Sequence, residues 1–146
     1  MDTQDPLALE GQVCFALAVA SRSVIAAYRP VLEPLHLTHP QYLVMLALWE
    51  QSPVSLKEVS RLLRLDPGTL SPLAKRLESL GYIERQRDAR DGRTLCITLS
   101  DRGRALRAEA EKVPGQMMER LGLSREELVG LHATMTKLIT ATDRLH

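Results

Sequence analysis

The hydrophobic pattern of residues 55–99 predicts two short helices followed by a hairpin. Four leucines recur at intervals of three and four residues, as on one face of a helix: Leu70, Leu73, Leu77 and Leu80. Asp66 and Pro67 precede them and are typical of a helix N-terminus. Three apolar residues at 95, 97 and 99 then alternate with polar ones, as in a half-buried strand. This order predicts a helix-turn-helix with a hairpin wing.

Helices are also predicted on both sides of this segment. The first runs from Leu7 to about Tyr28, where Arg29-Pro30 is expected to interrupt it, and its apolar residues occupy more than one side. A second helix is predicted from a capping box at Thr38–Gln41 to about Gln51. A helix apolar on two sides is difficult to bury in a small domain, so a partner chain is a natural solution.

The C-terminal part is predicted to form two further helices. One starts at Ser100 or Asp101 and is kinked or broken at Pro114, and the last starts at Ser124. The last helix carries a heptad seam: Leu128, Leu131, Met135, Leu138, Thr142 and Leu145. Such a seam is typical of helix pairing between subunits, although a helix folded back on its own domain fits the spacing equally well.

These elements predict a mainly α fold with a small β-hairpin wing. We expect one domain over residues 1–146, with a winged helix-turn-helix at about 38–100 and dimerisation helices at about 7–37 and 101–146. Aromatic residues make up only 3% of the chain, so the core should consist mainly of Leu, Val, Ala and Met. No run is expected to reach the apolar length of a membrane span.

The charge distribution indicates where a nucleic acid would bind. The net charge is only +1, but residues 55–107 contain 12 Lys or Arg against 7 Asp or Glu. We predict that the second helix of the helix-turn-helix, which starts at Asp66, and the hairpin contact DNA. The predicted contacts are eight residues: Asp66, Thr69, Ser71, Lys75, Arg76, Arg87, Arg90 and Arg93. Hydroxyls near the helix N-terminus would meet phosphates and base edges, and a wing arginine would enter a minor groove.

Conventional catalytic and metal-binding motifs are absent from the sequence. The four histidines are scattered, without metal-ligand spacing, and no GxSxG, P-loop or GxGxxG motif occurs. We therefore expect neither a cofactor nor an enzyme. The two cysteines, Cys14 and Cys96, do not form a disulfide framework, and the first residues are acidic, which favours a cytoplasmic protein.

Cys14 is a second candidate functional residue. A free cysteine on an apolar helix is commonly a packing residue, but Cys14 lies near a helix start and shares its face with Tyr28. The two are 14 residues apart, or about 21 Å along one helix, and cannot touch within a chain. A reactive site at Cys14 would therefore need Tyr28 from a second, antiparallel subunit.

The chain resembles the MarR family of winged-helix transcription regulators over nearly its whole length. The closest resemblance is to the organic hydroperoxide resistance (OhrR) type. It rests on VCFAL around Cys14, AYRPVLEPLHLTHPQYLVMLALWE at 27–50, LDPGTLSPLAKRLESLGYIERQRDARDGR at 65–93 and KVPG at 112–115. It implies a homodimeric repressor on a pseudo-palindromic DNA operator.

In this type of regulator, organic hydroperoxides oxidise the N-terminal cysteine to a sulfenic acid and the protein leaves DNA. The resemblance implies this role for Cys14, with tyrosines of the partner subunit holding the reduced thiolate. Tyr28 matches one of these tyrosines, whereas His39 stands at the second position and Ala18 at a third. No cysteine follows Cys96, so a low-molecular-weight thiol or overoxidation is expected to complete the reaction.

Two alternatives remain open. A regulator of this family could instead be released by a small anionic or phenolic ligand, with Cys14 serving only for packing. A thiol peroxidase that uses Cys14 catalytically is disfavoured by the mainly helical framework without a βαβ pattern.

Overall fold

The N-terminal segment forms one long helix in the computed structural model, which describes residues 5–146. Residues 1–4, part of the acidic start of the chain, lie outside the described residues. After a 3₁₀ turn at Leu9–Gly11, helix α1 spans Val13–Leu32 and continues through Pro30. The predicted interruption at Arg29-Pro30 is therefore wrong. Pro30 lies in the last turn of the helix, where its missing N–H removes a single intrahelical bond.

The next two helices begin at the predicted caps. Helix α2 spans His39–Glu50, and its capping box is complete: the Thr38 N–H donates to Gln41 and the Gln41 N–H donates to the Thr38 hydroxyl. Strand β1 covers only Val54–Ser55, and Ser55 caps helix α3, Leu56–Leu63. The sequence did not predict β1, because two residues are too short for a recognisable alternation.

The recognition helix and hairpin predicted from the sequence are present as a helix and two strands. Helix α4 spans Pro67–Ser79 and is followed by Gly81, whose φ of 83° is in the left-handed region typical of a residue after a helix C-terminus. Strands β2 (Ile83–Arg87) and β3 (Leu95–Leu99) form the hairpin, with Ile83 opposite Leu99. β1 pairs with the other edge of β3, so the antiparallel sheet has the order β1-β3-β2.

The structure divides into two compact units, one ending at Glu111 and the other running from Lys112 to His146. The core of the first unit includes fully buried apolar residues of α2, α3, α4 and β3: Val44, Met45, Val59, Leu70, Ala74, Leu77 and Ile97. Leu32 of α1 and Ile83 of β2 are buried with them. The predicted single domain stays a prediction, and each unit is described separately.

Two long-range hydrogen bonds fix the ends of this core. The buried Tyr82 hydroxyl donates to the carbonyl oxygen of Leu35 (2.8 Å), which joins the start of the hairpin to the connection between α1 and α2. The Trp49 indole N–H donates to the carbonyl oxygen of Gly103 (3.0 Å), which joins α2 to helix α5, Asp101–Ala110. The winged helix-turn-helix is thus tied to the helices on both sides.

The second unit contains helix α6, Val113–Leu121, and helix α7, Arg125–Asp143. The break predicted near Pro114 is confirmed, since α5 ends at Ala110 and Pro114 occupies the first turn of α6. Ser124 and Glu127 form the predicted capping box of α7. The seam residues Leu131, Met135 and Leu138 are exposed in this single chain.

Helix α1 is more apolar than the sequence analysis expected. The segment Val13–Leu35 is long and apolar enough to cross a membrane by length and composition alone, which corrects the expectation that no run reaches that length. Only 6% of its apolar window is buried in the structure. The apolar surface of α1 is therefore almost wholly exposed in this single chain, as is typical of an interaction surface.

Candidate nucleic-acid interface and thiol site

Asp66 fixes the N-terminus of α4 through two hydrogen bonds from one residue. The Thr69 N–H donates to Oδ1 of Asp66, and the Thr69 hydroxyl donates to Oδ2, both at 2.9 Å. These bonds, first that from the Thr69 backbone, hold the pKa of Asp66 below its ordinary value. The aspartate is therefore ionised at neutral pH and accepts both hydrogen bonds.

The predicted contact residues of α4 do not all share one environment. Thr69, Lys75 and Arg76 are exposed, as a groove-reading helix requires, whereas Ser71 is half-buried at the side of the helix. Arg76 also lines a cavity beside α1, so this residue of α4 lies next to the N-terminal helix.

A carboxylate–guanidinium pair joins α4 to the hairpin. Glu78 near the end of α4 accepts hydrogen bonds from the Arg85 backbone N–H (3.2 Å), from Nε (3.2 Å) and from Nη2 (3.0 Å). The pairing, chiefly the side-chain hydrogen bond from Arg85, lowers the pKa of Glu78. The wing is therefore held at a defined position relative to α4.

Two aspartates shape the tip of the wing. Asp88 accepts a hydrogen bond from the Arg90 N–H (2.7 Å), and Asp91 accepts one from the Arg93 N–H (3.0 Å). The exposed Arg87 guanidinium donates to the carbonyl oxygen of Gly92 at 3.2 Å. Arg90 and Arg93 are also exposed, and within residues 5–146 no hydrogen bond of their guanidinium groups helps to form the turn, whereas that of Arg87 does; contact of these three arginines with DNA stays a prediction.

The thiol site predicted around Cys14 is only partly assembled in one chain. Cys14 is exposed and free, and it lies on the same unbroken helix as Tyr28, about 21 Å away along the axis. His39 packs edge-on against Tyr28, with ring centroids 5.1 Å apart. The structure thus brings Tyr28 and His39 together and leaves Cys14 at a distance from them.

Tyr42 is a third member of this aromatic cluster that the sequence analysis missed. Its ring lies 6.0 Å from that of Tyr28, and burial and the charge of Tyr28 raise its pKa. Burial lowers the pKa of His39, which favours the neutral imidazole at physiological pH. The available signal was the spacing, since Tyr42 follows His39 by three residues on one helix face.

A cavity of about 680 Å³ lies beside this cluster, between α1, the start of α2 and α4. Its wall includes three arginines (Arg22, Arg29 and Arg76), together with His39 and the acidic Glu33. Arg22 and Arg29 were also missed, although their separation of seven residues places them on one face of α1. Among residues 5–146, no group of three or more His, Cys, Asp or Glu is arranged to hold a metal ion.

Comparison with known proteins places this geometry in a family. Residues 26–109 match the model of the transcriptional regulator SarA/Rot family. The organic hydroperoxide resistance transcriptional regulator of Bacillus subtilis (strain 168) is 39% identical over 142 residues, which cover 97% of this chain and 95% of the relative.

Solved structures agree with the fold. AbfR is a protein of Staphylococcus epidermidis. The structure of reduced AbfR bound to DNA superposes on this chain with a TM-score of 0.82 at 32% identity, covering 94% of both chains. AbfR is also known in an overoxidized form bound to DNA and in a disulfide form. A MarR-family regulator from Rhodococcus sp. RHA1 superposes with a TM-score of 0.80 at 25% identity, over 90% of this chain and 95% of the other.

These matches extend over the winged helix-turn-helix and the flanking helices alike, and they confirm the predicted fold class and the predicted resemblance. The curated relative from Bacillus subtilis is a transcriptional regulator named for organic hydroperoxide resistance, and AbfR has been solved bound to DNA. The chain belongs to the MarR/SarA family of winged-helix, DNA-binding transcriptional regulators.

Proposed function

We propose that the protein is a cytoplasmic homodimeric repressor that leaves its operator when organic hydroperoxides oxidise Cys14. The observation that carries this proposal is an exposed cysteine on an uncovered apolar helix, in a chain similar to an organic hydroperoxide resistance regulator. Antiparallel pairing of α1 with its copy would bring Cys14 of one subunit towards Tyr28 of the other. The missing half of the thiol site is then supplied by the dimer.

The proposed oxidation is a two-electron transfer. The Cys14 thiolate attacks the terminal peroxide oxygen, so that an S–O bond forms as the O–O bond breaks. The sulfur is oxidised to a sulfenic acid, and the alkoxide takes up a proton and leaves as an alcohol. A low-molecular-weight thiol then condenses with the sulfenic acid, forming a disulfide and releasing water.

The Tyr28–His39–Tyr42 cluster provides a route from the thiol to α4. The cluster borders the cavity that also contains Arg76 of α4, so a displaced ring would alter the packing beside the DNA-binding helix. In a dimer, the two α4 helices must enter successive major grooves, about 34–36 Å apart. A small change in their spacing is enough to weaken binding to a fixed operator.

The test compares wild type with Cys14→Ser, using Cys96→Ser as the matched control. Operator DNA is obtained by selection from a randomised duplex library, and binding is measured before and after one equivalent of cumene hydroperoxide. We expect wild type and Cys96→Ser to lose affinity by roughly 5- to 150-fold, the usual range of coupling between two sites. Cys14→Ser should keep its affinity.

Intact mass must be recorded on the same samples, because an overoxidized form of the similar protein AbfR is bound to DNA. The mass distinguishes a sulfenic acid or mixed disulfide from higher oxides. Release of Cys14→Ser by the peroxide to the same extent as wild type would rule out the redox mechanism.

The cavity favours a second candidate function, a regulator released by a small anionic or phenolic ligand. Arg22, Arg29 and Arg76 would pair with the anion, and Ile25 and Leu80 would contact its apolar part. Salicylate serves as the probe in the same binding assay. Release of Cys14→Ser by salicylate, together with no response of wild type to peroxide, would favour this function over the first.

A further inference from the structure

The capping box of α2 determines how the Gln41 side-chain amide is oriented. The Thr38 N–H donates to one end of this amide at 2.9 Å, and that end must be the oxygen, because an amide nitrogen does not accept. The other end is therefore the N–H₂ group. Its nitrogen, Nε2, forms no hydrogen bond with any residue between 5 and 146.

Gln41 is a buried residue, with only 5% of its surface exposed, and it lines the cavity beside α1. Within the described part of the chain, every fully enclosed side-chain nitrogen or oxygen has a hydrogen-bond partner. Nε2 has none and therefore keeps access to open space, and the cavity is the space that Gln41 lines. A buried amide donor without a partner is costly unless water or a ligand accepts from it, so the cavity offers a directed hydrogen bond.

The cations around this donor are unpaired as well. Within residues 5–146, the guanidinium groups of Arg22, Arg29 and Arg76 form no hydrogen bond or ion pair, although all three residues line the cavity. Among the described residues of the wall, the one carboxylate is that of Glu33. Apart from its histidines, the wall thus carries a surplus of two positive charges, which a dianion would balance.

These features favour a phosphate monoester over a carboxylate. A phosphate monoester carries a charge of about −1.5 to −2 at neutral pH and has three accepting oxygens, whereas a carboxylate has one charge on two oxygens. Guanidinium groups bind phosphate through paired N–H donors, and a third oxygen stays available to Nε2 of Gln41. The apolar side chains of Ile25 and Leu80 in the same wall would contact the organic part of the ligand.

We propose that the cavity binds an organic phosphate monoester and that Gln41 selects it, with Nε2 donating to a phosphate oxygen. The proposal rests on the cavity of the second candidate function and narrows its ligand from small anions and phenols to dianions. It does not depend on Cys14 or on peroxide. Gln41 then has two roles, since Oε1 caps α2 and Nε2 faces the ligand.

Three probes with the same phenyl ring test the charge of the ligand. Isothermal titration calorimetry without DNA compares phenyl phosphate, benzoate and phenol at a pH of about 8, well above the second phosphate pKa of about 6. Phenyl phosphate should bind at least roughly tenfold more tightly than benzoate, and phenol most weakly. Equal affinities for phenyl phosphate and benzoate, or no binding of phenyl phosphate at millimolar concentration, would overturn the proposal.

Gln41→Glu tests the donor itself. Glutamate is as suitable as glutamine at this position of a capping box, so the variant keeps the cap and replaces the N–H₂ group with an accepting, negatively charged oxygen. Affinity for phenyl phosphate should fall roughly tenfold or more. The matched control is Gln51→Glu, at the C-cap of the same helix and outside the cavity wall, which should keep the wild-type affinity. The proposal is contradicted if the two variants bind phenyl phosphate equally tightly.

Arg29→Gln keeps the test decisive if helical circular dichroism shows that Gln41→Glu does not fold. Arg29 is exposed, so its replacement should leave the fold intact. It leaves the wall with a surplus of one positive charge, so the preference for phenyl phosphate over benzoate should shrink. An unchanged preference would count against the proposal.

The DNA-binding assay separates this proposal from the second candidate function. If phenyl phosphate binds as predicted through Gln41 but leaves the protein on DNA, that function fails and the assignment of the cavity stands. If benzoate binds the cavity and releases DNA as readily as phenyl phosphate, the function stands and the assignment fails.

Discussion

Position 103 has space only for glycine. A Cβ at this position would overlap the carbonyl oxygen of Tyr82 and would lie 3.2 Å from Cδ2 of Leu99. Its own carbonyl oxygen accepts the hydrogen bond from Trp49. The close approach of α5 to the hairpin therefore depends on this one glycine.

We expect Gly103→Ala to destabilise the protein by about 1–3 kcal/mol, the usual cost of overpacking a closely packed position. The measurement is the free energy of unfolding in urea. Gly130→Ala is the matched control: Gly130 lies within α7 with nothing within 4 Å of an added Cβ, so alanine should stabilise by about 0.5–1 kcal/mol. Equal stability of wild type and Gly103→Ala would contradict the packing described here.

Some residue-level features could be predicted from the sequence and others could not. The caps at Thr38, Asp66 and Ser124 were predicted, because a cap and its partner lie within three residues of each other. Gly103 and the Tyr82–Leu35 hydrogen bond were not, since their partners are distant in the sequence. The Tyr28–His39 contact also requires the turn between α1 and α2.

At the scale of elements, the wing acts as an extension of α4. The Glu78–Arg85 pair joins the two, and Asp91 fixes the backbone of Arg93 at the tip. The hairpin was predictable from its alternating pattern, whereas strand β1 and the full length of α1 were not. The prediction ended the helix at Pro30 because proline usually ends one, but Pro30 lies in the last turn of α1, where its missing N–H removes a single intrahelical bond.

Arg93→Ala should weaken DNA binding without changing the fold, because the backbone N–H and not the guanidinium holds the turn. Removal of one phosphate or minor-groove contact should lower the salt slope by up to about 0.9. Fluorescence anisotropy with the selected operator, at several salt concentrations, measures both quantities. Arg125→Ala, in the first turn of α7, is the control; an unchanged affinity for Arg93→Ala would remove the wing from the contact surface.

At the scale of the molecule, both units leave apolar helix surfaces uncovered. In the first unit, Phe15, Leu17 and Ile25 of α1 are 38–42% exposed, and in the second, Met135 and Leu138 of α7 are each 40% exposed. Exposed apolar side chains in such number are typical of helices that pair with another chain. The homodimer proposed above would cover it.

Leu138→Glu should weaken the proposed dimer at least roughly tenfold, since burying a leucine contributes about 1.5–3 kcal/mol and a carboxylate opposes burial. Sedimentation equilibrium measures the dissociation constant. Leu62→Glu on α3 is the control, because Leu62 is similarly exposed (44%) but lies outside α1 and α7. A wild-type protein that is monomeric at micromolar concentration would contradict the dimer.

The hydrogen bond between Trp49 and Gly103 has a practical consequence. Trp49 is the only tryptophan in the sequence, and its half-buried indole lies where α2 meets α5. Its intrinsic fluorescence is therefore a single-site optical reporter on the junction between the winged helix-turn-helix and the helix that follows it. Unlabelled protein can be followed at this one point during oxidation, ligand titration or DNA binding.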